Sequence, residues 1–288
     1  MSVTALVINF NAGQALQRCV QSLVDSTIQA QIMIVDNAST DGSAERLRVL
    51  YGNFPNIEIL FNPANLGFAR AVNAAVKQLG TDRVLIINPD CIIHRGALAL
   101  MQQALATDQG AALAAPLVRN NEGKVEKAAL RRFPDPWNSL MTMTGLWRLG
   151  RWIPALRGVP VNTGQLPGRV VRAEAVSGAC MLIRVDAMLE VGLMDEAYGM
   201  HCEDLDLMYR LQQAGWHCLF VPTASAVHKQ GVSSRSRPIW VHTQKHKSMA
   251  RFFGKFQASN HWPPMRWLVY TGIWLRYLLL WPLVWVKK

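Results

Sequence analysis

The last 60 residues of this 288-residue chain contain no acidic side chain. Residues 229–288 carry 11 Lys and Arg and no Asp or Glu, whereas residues 1–228 carry 19 residues of each sign. Five of the ten tryptophans lie between positions 262 and 285. The formal net charge of +11 therefore belongs to a basic, aromatic tail that follows a near-neutral body.

Paired cysteines are also missing. The five cysteines are scattered and none forms a CxxC pair: Cys19, Cys91, Cys180, Cys202 and Cys218. This spacing argues against a zinc knuckle and against a disulfide framework, and it favours reduced thiols in a cytosolic compartment. No basic stretch precedes an apolar run at the N-terminus, so we expect no signal peptide.

The first half of the chain alternates apolar strand-like runs with segments of helical spacing. The predicted strands are Val3–Asn9, Gln31–Val35, Ile57–Phe61, Val84–Ile87 and Ala111–Ala115. Such alternation predicts an α/β fold with a mostly parallel sheet and helices on both faces. The fingerprint G-x-G-x-x-G is absent after the first strand, which counts against a hydride-transfer enzyme.

One stretch combines a buried strand with a carboxylate at its end. Val84–Ile87 is continuously apolar, and Asn88-Pro89 ends the run because proline has no N–H for the sheet ladder. Asp90 follows, at the place where ligands of open α/β sheets bind. A carboxylate there suits a hard divalent cation and its phosphate ligands. The alternative is an ordinary turn in which Asp is a turn former.

Two further candidates lie in the second half. Glu203 and Asp204 begin a segment of helical spacing that ends at Gly215. Acidic residues are common at helix starts, but an adjacent pair at a pocket mouth would also supply a general base. His228 is a lone histidine, which becomes a credible metal ligand only when it is paired with Asp90.

The remaining strand predictions bracket this helix. Residues 176–183 are predicted to form another inner strand, whose small residues allow a close approach of ligand or backbone. Residues 216–221 are predicted to form a short strand that Pro222 closes.

Two apolar segments allow more than one interpretation. Residues 137–156 fit either a partly buried helix pair or an amphipathic segment on a membrane surface. Residues 241–256 suit a helix, and residues 267–286 form a 20-residue apolar run with Arg276 as its one charge, followed by Lys287 and Lys288. About 20 apolar residues can span a bilayer, but a central Arg would cost roughly 2.5–3.5 kcal/mol. We therefore favour a helix in the membrane interface over a full span; a core helix is the third possibility.

Four landmarks in a fixed order resemble family 2 glycosyltransferases of GT-A fold. They are Val35-Asp36-Asn37 with Ser39, Asp41, Gly42 and Ser43; Asn65-Leu66-Gly67-Phe68; Asn88-Pro89-Asp90; and Glu203-Asp204-Leu205-Asp206 with His228. Within that family the chain looks most like the rhamnosyltransferase branch of bacterial polysaccharide synthesis. The resemblance covers about residues 1–255. It implies a Rossmann-like GT-A catalytic domain over 1–230, divided into a nucleotide-sugar part to about 116 and an acceptor part. The charge and apolar pattern described above predict that residues 231–288 form a basic helical membrane-associating extension.

The resemblance also implies roles for individual residues. The nucleotide-sugar site would comprise Asn9, Asn11, Asp36, Asn65, Gly67, Arg70, Asn88 and Asp90. Asp36 would bind the pyrimidine ring and Arg70 would lie near the diphosphate. Asp90 would hold Mg²⁺ or Mn²⁺ with His228, since Asn88 departs from the acidic first position of the family motif. Asp204 matches the catalytic base, with Glu203 as the lesser candidate. Arg235 and Arg237 are expected over a donor or acceptor phosphate.

The implied activity is an inverting, metal-dependent transfer of L-rhamnose from dTDP-L-rhamnose to a polyprenyl-diphosphate-linked acceptor, as in O-antigen-like polysaccharides. We expect the enzyme to be peripheral or monotopic on an anionic surface, at the cytoplasmic face of the bacterial inner membrane. Galactofuranose or a hexose from a UDP donor is the alternative within the family. A non-catalytic nucleic-acid- or membrane-binding protein is another, and so is an inactive transferase-like scaffold. We expect no nucleic-acid partner, because single-strand binders combine aromatics with a basic groove rather than with leucines.

Overall fold

The computed structural model describes residues 2–161, 166–229 and 237–285. The strands in this part of the chain are β1 Val3–Asn9, β2 Gln31–Asp36, β3 Ile57–Phe61, β4 Arg83–Ile87, β5 Cys91–Ile93, β6 Ala111–Arg119, β7 Leu130–Arg131, β8 Val171–Ala173, β9 Ala175–Val176, β10 Cys180–Arg184 and β11 His217–His228. The helices are α1 Gln14–Val24, α2 Ser43–Tyr51, α3 Phe68–Val76, α4 Ala97–Thr107, α5 Pro136–Thr144, α6 Val185–Glu190, α7 Glu203–Gln213, α8 Pro238–Phe256 and α9 Pro263–Trp285.

Strands β1 to β4 form the parallel half of the main sheet, in the order β3-β2-β1-β4. Asn9 lies opposite Asp36, and Asp36 lies opposite Phe61, so these strands end at one edge. The loops that follow them therefore collect along a single rim of the sheet. Ligands of open α/β sheets bind at such a rim.

The other half of the sheet is mixed. The order continues β10-β6-β11-β5 with β8 beside β11, and β10 runs antiparallel to both β4 and β6. The predicted strand over 176–183 is divided: Val176 ends β9, which pairs with β7, and Cys180 begins β10. The break falls at Gly178, where an added Cβ would lie 2.6 Å from Oδ2 of Asp204. The chain turns there to pass close to α7.

The prediction that Pro222 closes the strand over 216–221 is wrong. Strand β11 continues to His228, and its pairing with β6 shifts register between Val221 and Ser225. The irregularity accommodates a proline that has no N–H to donate. The extra length carries His228 to a position opposite Cys91 on β5, directly beside Asp90.

Both faces of the sheet are buried, as its apolar runs predict. Leu6 and Ile86 belong to one hydrophobic cluster together with Val72 of α3, whereas Val7 and Leu16 belong to a second cluster on the opposite face. Helices thus cover both sides of the sheet, and the predicted α/β fold class is confirmed.

Residues 137–156 form one helix and two short 3₁₀ turns rather than a helix pair. Helix α5 begins with a capping box at Asp135, and the 3₁₀ turns are Leu146–Leu149 and Pro154–Leu156. Trp137 and Trp152 are exposed. Whether this surface touches a membrane stays a prediction.

Helix α8 is docked firmly on the body. Phe252 is buried in the main core and packs edge-to-face against Tyr209 of α7. The Lys255 ammonium donates to Asp195 at 2.7 Å and to the fully buried Asp206 at 2.6 Å. Arg251 also pairs with Asp195 at 2.7 Å. Apolar and charged contacts together fix this helix to the domain.

Helix α9 folds back along α8. The Tyr277 ring stacks on His242 at 4.9 Å, and the Tyr270 ring packs on Phe253 at 5.3 Å, which makes the two helices an antiparallel pair. Trp267 is 74% exposed and Leu279 is 68% exposed. Within the described residues, α9 is the one helix long and apolar enough to cross a membrane by length and composition, and 6% of its most apolar window is buried. The predicted domain boundary at 230/231, together with Arg235, Lys287 and Lys288, lies outside the described residues.

Candidate active site

The loops after β1 and β2 are joined by a buried polar network around Asp36. Asn9 donates its Nδ2 to Oδ1 of Asp36 at 2.6 Å, and the Ser39 amide donates to Oδ2 at 2.9 Å. Asn11 donates its backbone N–H to Ser39 Oγ at 3.0 Å and accepts from the Thr40 amide at 2.8 Å. Three predicted donor-site residues, Asn9, Asn11 and Asp36, therefore lie together at the rim.

Asp41 ties the same two loops together and was missing from the predicted site. It accepts the Gly13 amide at 2.8 Å and the Ser43 hydroxyl at 2.6 Å. Although burial opposes the shift, the Ser43 and Gly13 hydrogen bonds and the nearby Arg46 lower the pKa of Asp41. Its place in a loop dense with capping residues was the available signal, but the sequence did not reveal the cross-loop contact to Gly13.

Asn65 and Gly67 join this network through Asn37. The side-chain amide of Asn37 donates through Nδ2 to Oδ1 of Asn65 at 3.0 Å and to the Gly67 carbonyl at 3.3 Å. Gly67 has φ of +83° at the start of α3, a conformation that glycine adopts without steric cost. Arg70, one turn into α3, is bound to Glu196 at 3.1 Å, and its side chain is largely exposed. Its predicted position near a diphosphate stays a prediction.

The structure brings Asp90, His228 and Asn88 together. His228 Nε2 lies 3.1 Å from Oδ1 of Asp90 and 3.4 Å from Nδ2 of Asn88. The other ring nitrogen, Nδ1, lies 3.0 Å from the buried Glu126. Although burial opposes the shift, the hydrogen bonds to Asp90 and Glu126 raise the pKa of His228 to about 10.

The donor set at this point fits a divalent cation whose remaining ligands come from a substrate. A carboxylate oxygen and a ring nitrogen of His228 face one another, and the second ring nitrogen is held by a carboxylate, as is usual for metal-bound histidines. Binding of a cation there would displace the proton that the ring carries in its absence. Within the described residues, no group of three or more His, Cys, Asp or Glu side chains could hold a metal. A cation at Asp90 and His228 would therefore take phosphate oxygens or waters as its other ligands.

Asp204 lies close to the same rim. Its carboxylate pairs with Arg131 and lies against Gly178. The next residue, Ala179, accepts the Asn88 amide at 2.9 Å through its carbonyl. One short stretch of backbone thus separates the Asp204 carboxylate from the Asn88-Pro89-Asp90 turn.

Arg131 was missed at the sequence level. It lies on the two-residue strand β7, donates to the Val176 carbonyl at 3.0 Å through Nη2, and pairs with Asp204. Desolvation and the neighbouring Asp204 raise the pKa of Glu203 to about 8, while its charge interaction with Arg131 acts in the opposite direction. The two adjacent carboxylates therefore have different environments: Asp204 is paired with a cation, and Glu203 is disposed to remain protonated.

A cleft of about 300 Å³ opens beside the first loop. It is lined by Asn11, Ala12, Gly13, Gln14, Ala15, Arg18 and Lys229. The Lys229 amide donates to the Asp90 carbonyl at 2.9 Å, so the cleft adjoins the Asp90 side of the rim. Arg237 lies at the same loop, with its guanidinium 5.6 Å from the centre of the Phe10 ring. The lining of the cleft thus contains two cationic side chains, Arg18 and Lys229.

Comparison with protein families gives two matches that together extend over nearly the whole chain. Residues 4–162 match the model of glycosyl transferase family 2, and residues 160–287 match glycosyl transferase family group 2.

Among curated proteins, the chain is 29% identical over 285 residues to an N-acetylglucosaminyl-diphospho-decaprenol L-rhamnosyltransferase of Mycobacterium tuberculosis, covering 94% of this chain and 90% of that protein. It is 26% identical over 159 residues to rhamnosyltransferase WbbL of Escherichia coli, covering 54% of this chain and 55% of that protein.

Solved structures share the fold at low identity. The mannosyltransferase PcManGT of Pyrobaculum calidifontis, in complex with GDP-Man and Mn²⁺, superposes with a TM-score of 0.61 at 15% identity, covering 99% of this chain and 72% of that chain. GalNAc-T7 with UDP, GalNAc and Mn²⁺ also gives a TM-score of 0.61, at 14% identity, covering 94% of this chain and 54% of that chain.

Proposed function

The chain belongs to glycosyl transferase family 2, and we propose that it transfers L-rhamnose from dTDP-L-rhamnose, with inversion, to a polyprenyl-diphosphate-linked saccharide at the cytoplasmic face of a bacterial membrane. The observation that supports the proposal is that the Gly178-Ala179 backbone adjoins both the Asp204 carboxylate and the Asn88-Pro89-Asp90 turn, whose Asp90 pairs with His228. The rhamnosyl donor and the lipid-linked acceptor rest on the two rhamnosyltransferase relatives.

The nucleotide would bind over the loops after β1 and β2. Asn9 and Asp36 form a rigid polar floor there, and Asn11 shapes the mouth of the cleft. Arg18 and Lys229 would face the donor phosphates from that cleft, because fixed cations stabilise phosphate charge.

Asp90 and His228 would hold a Mg²⁺ or Mn²⁺ ion, with Asn88 beside them. When bound, such an ion supplies Lewis-acid stabilisation of the negative charge that develops on the diphosphate leaving group. Glu126 would fix the tautomer and orientation of His228 from behind. The protein itself would fix the orientation of the two metal-ligating atoms, one from Asp90 and one from His228, before the substrate binds.

Asp204 would remove the proton from the acceptor hydroxyl that attacks the face of the sugar opposite the leaving diphosphate. A general base of this kind contributes about 10²–10⁴-fold to the rate. The pair with Arg131 would orient the Asp204 carboxylate, whereas the raised pKa of Glu203 suits that residue poorly to be a base at neutral pH.

The tail would hold the enzyme on the membrane surface. Helix α9 has an exposed apolar face rich in Leu and Trp, and its flank against α8 is aromatic and polar. Because α8 is fixed to the body by Phe252, a full crossing of α9 would draw the charged α8 into the bilayer at high cost. A helix lying in the interface avoids this cost and attracts anionic lipid through the surrounding Lys and Arg.

The decisive experiment offers the purified protein several nucleotide sugars with a polyprenyl-diphosphate-linked acceptor and Mg²⁺ or Mn²⁺. We expect turnover with dTDP-L-rhamnose and an inverted anomeric product. Turnover with a UDP-hexose or UDP-galactofuranose, but not with the dTDP donor, would reject rhamnose and retain the transferase. No transfer from any donor would reject the proposal as a whole.

Two variants test the assigned roles. Asp90→Ala should weaken binding of the donor with its metal, measured by calorimetry, in addition to abolishing most turnover. Asp204→Asn should lower kcat by about 10²–10⁴-fold with donor affinity nearly unchanged. Asp82→Asn is the matched control, because Asp82 lies just before β4, at the end of the strands opposite the rim. Its carboxylate accepts the Ser2 amide there. Equal losses in donor affinity for both site variants would contradict the division of roles.

A further inference from the structure

A group of cations lies where the two tail helices meet the loop that leads into α7. Arg131 is paired with Asp204, but among the described residues no acidic side chain pairs with Lys245 of α8 or with Arg276 of α9. By contrast, Arg251 and Lys255, further along α8, are paired with Asp195. Lys247 and Arg266 have no acidic partner among the described residues either, but Lys247 is on another face of α8, and Arg266 lies at the far end of the pair, where it donates to the His261 carbonyl. Lys245 and Arg276 are therefore the unpaired cations at the end of the helix pair near α7.

Contacts of the neighbouring residues fix where Lys245 lies. Ser248 donates its hydroxyl to the Met200 carbonyl at 2.7 Å, and a Cβ added at Gly199 would lie 2.5 Å from Oε1 of Gln244. Helix α8 thus crosses the loop just before Glu203 at the level of Lys245. On the same face two turns later, at i+7, Phe252 packs against Phe133, which follows Arg131 by two residues.

Arg276 is brought to the same place from α9. Its Nη1 lies 3.0 Å from Nε2 of His246, the residue after Lys245. The pKa of Lys245 is lowered mainly by desolvation and, to a smaller extent, by the charge of Arg276. Desolvation and the charge of Lys245 also lower the pKa of His201, against the opposing effect of Asp204. The contact to His246 thus places Arg276 beside the turn of α8 that carries Lys245, and the contacts of Gln244 and Ser248 place that turn against the loop that leads to Asp204.

Such an arrangement is unfavourable in the absence of a ligand. Like charges that lie close together repel one another, and a multivalent anion between them relieves the repulsion. A diphosphate presents several acceptor oxygens, which suit the point charge of a lysine and the fork of an arginine.

We infer that Lys245 and Arg276, with His201 beside them, form the binding site for the diphosphate of the lipid-linked acceptor. The inference rests on the proposed function, since it takes Asp204 to be the base. A sugar attached to a diphosphate at this site extends toward Asp204, while the polyprenyl chain continues along the exposed apolar face of α9. The acceptor would therefore contact Asp204 with its sugar, Lys245 and Arg276 with its diphosphate, and α9 with its lipid chain.

The test compares two acceptors that differ only in charge: a saccharide on a polyprenyl diphosphate, and the same saccharide on a neutral alkyl chain. Lys245→Gln and Arg276→Gln should each raise KM for the diphosphate acceptor by about tenfold or more, because each removes a charge-assisted contact. The KM for the neutral acceptor and for the donor should change less than twofold. Lys247→Gln is the matched control, because Lys247 is exposed like Lys245 but lies two residues further along α8, on the opposite side of the helix.

A binding measurement keeps the test independent of the reaction. Farnesyl diphosphate should bind the wild type in calorimetry and bind both variants about tenfold or more weakly, whatever the donor sugar proves to be. Thermal unfolding of the two variants should occur at the wild-type temperature or above it, because an unpaired cation has been removed.

Other outcomes would overturn the inference. Equal losses with both acceptors, accompanied by weaker sedimentation with phosphatidylglycerol vesicles, would assign the cations to phospholipid headgroups instead. Unchanged farnesyl diphosphate binding in both variants would reject the site, even if sugar transfer itself is established. Absence of transfer by the wild type together with charge-dependent farnesyl diphosphate binding would reject the proposed function and retain the anion site.

Discussion

Asp195 is the carboxylate on which the docking of α8 depends. It accepts from Lys255 at 2.7 Å and from Arg251 at 2.7 Å, and its side chain is 15% exposed. Asp195→Asn keeps the size and an acceptor oxygen for the Ala197 amide but removes the charge. The substitution therefore isolates the electrostatic part of the attachment.

The size of the effect follows from the pKa of Asp195. Although burial opposes the shift, hydrogen bonds from Lys255 and Arg251 lower this pKa to about 2, from a usual 3.8. A depressed carboxylate pKa contributes stability that is fully present above the unfolded value and is lost as the pH falls through the folded value. The contribution is about 2 kcal/mol at pH 7 and about 1 kcal/mol at pH 3.

Urea denaturation of wild type and variant, followed by circular dichroism at pH 7 and pH 3, measures this difference. At pH 7 the unfolding midpoint of Asp195→Asn should fall by roughly 1 M, and the gap should shrink by about half at pH 3. Glu122→Gln is the control: it removes the charge from an exposed pair with Lys124 and should change the free energy of unfolding by less than about 1 kcal/mol. If Asp195→Asn matches this control at pH 7, or if the gap widens on acidification, the electrostatic account of α8 docking is refuted.

Three further predictions concern the site and the tail. Gly178→Ala should lower kcat by about 10–100-fold, because the new methyl group would displace the carboxylate of the proposed base, whereas Gly168→Ala, with open space around it, should have no effect in the same assay. Glu126→Ala should weaken Mn²⁺ binding in the presence of nucleotide diphosphate by about 10–100-fold in calorimetry, since His228 loses the partner that orients it; Glu126→Gln, which retains an acceptor, should lose less. Leu279→Asp should weaken sedimentation with phosphatidylglycerol vesicles by about tenfold or more, with an unchanged unfolding midpoint; unchanged vesicle binding would argue against an interfacial α9.

Local patterns in the sequence predict much of the parallel half of the sheet. The apolar run over 84–87 becomes β4, and the proline after Asn88 ends it as expected, because each depends only on neighbouring residues. The polar residues after β1, β2 and β4 then meet because parallel strands share an edge. No long-range information is needed to place Asn9, Asp36 and Asp90 on one rim.

The second half could not be predicted in the same way. Pro222 ends a strand by its local chemistry, yet β11 continues past it because the register shift against β6 absorbs the residue. The pairing of Arg131 with Asp204 joins positions 73 residues apart through a two-residue strand too short to leave a pattern. Such contacts are properties of the tertiary fold, and no window of sequence contains both partners.

The attachment of α8 to the core has a geometric consequence. Phe252, Lys255 and Ser248 join this helix to the same body that carries Asp204, and α9 lies along it. If α9 rests in the headgroup layer as proposed, the height of the proposed base above the lipid is set by a rigid frame and not by a flexible tether. Reactive hydroxyls that protrude too little or too far from the bilayer would then miss the carboxylate, so the frame itself would select acceptors by how far their glycan has grown.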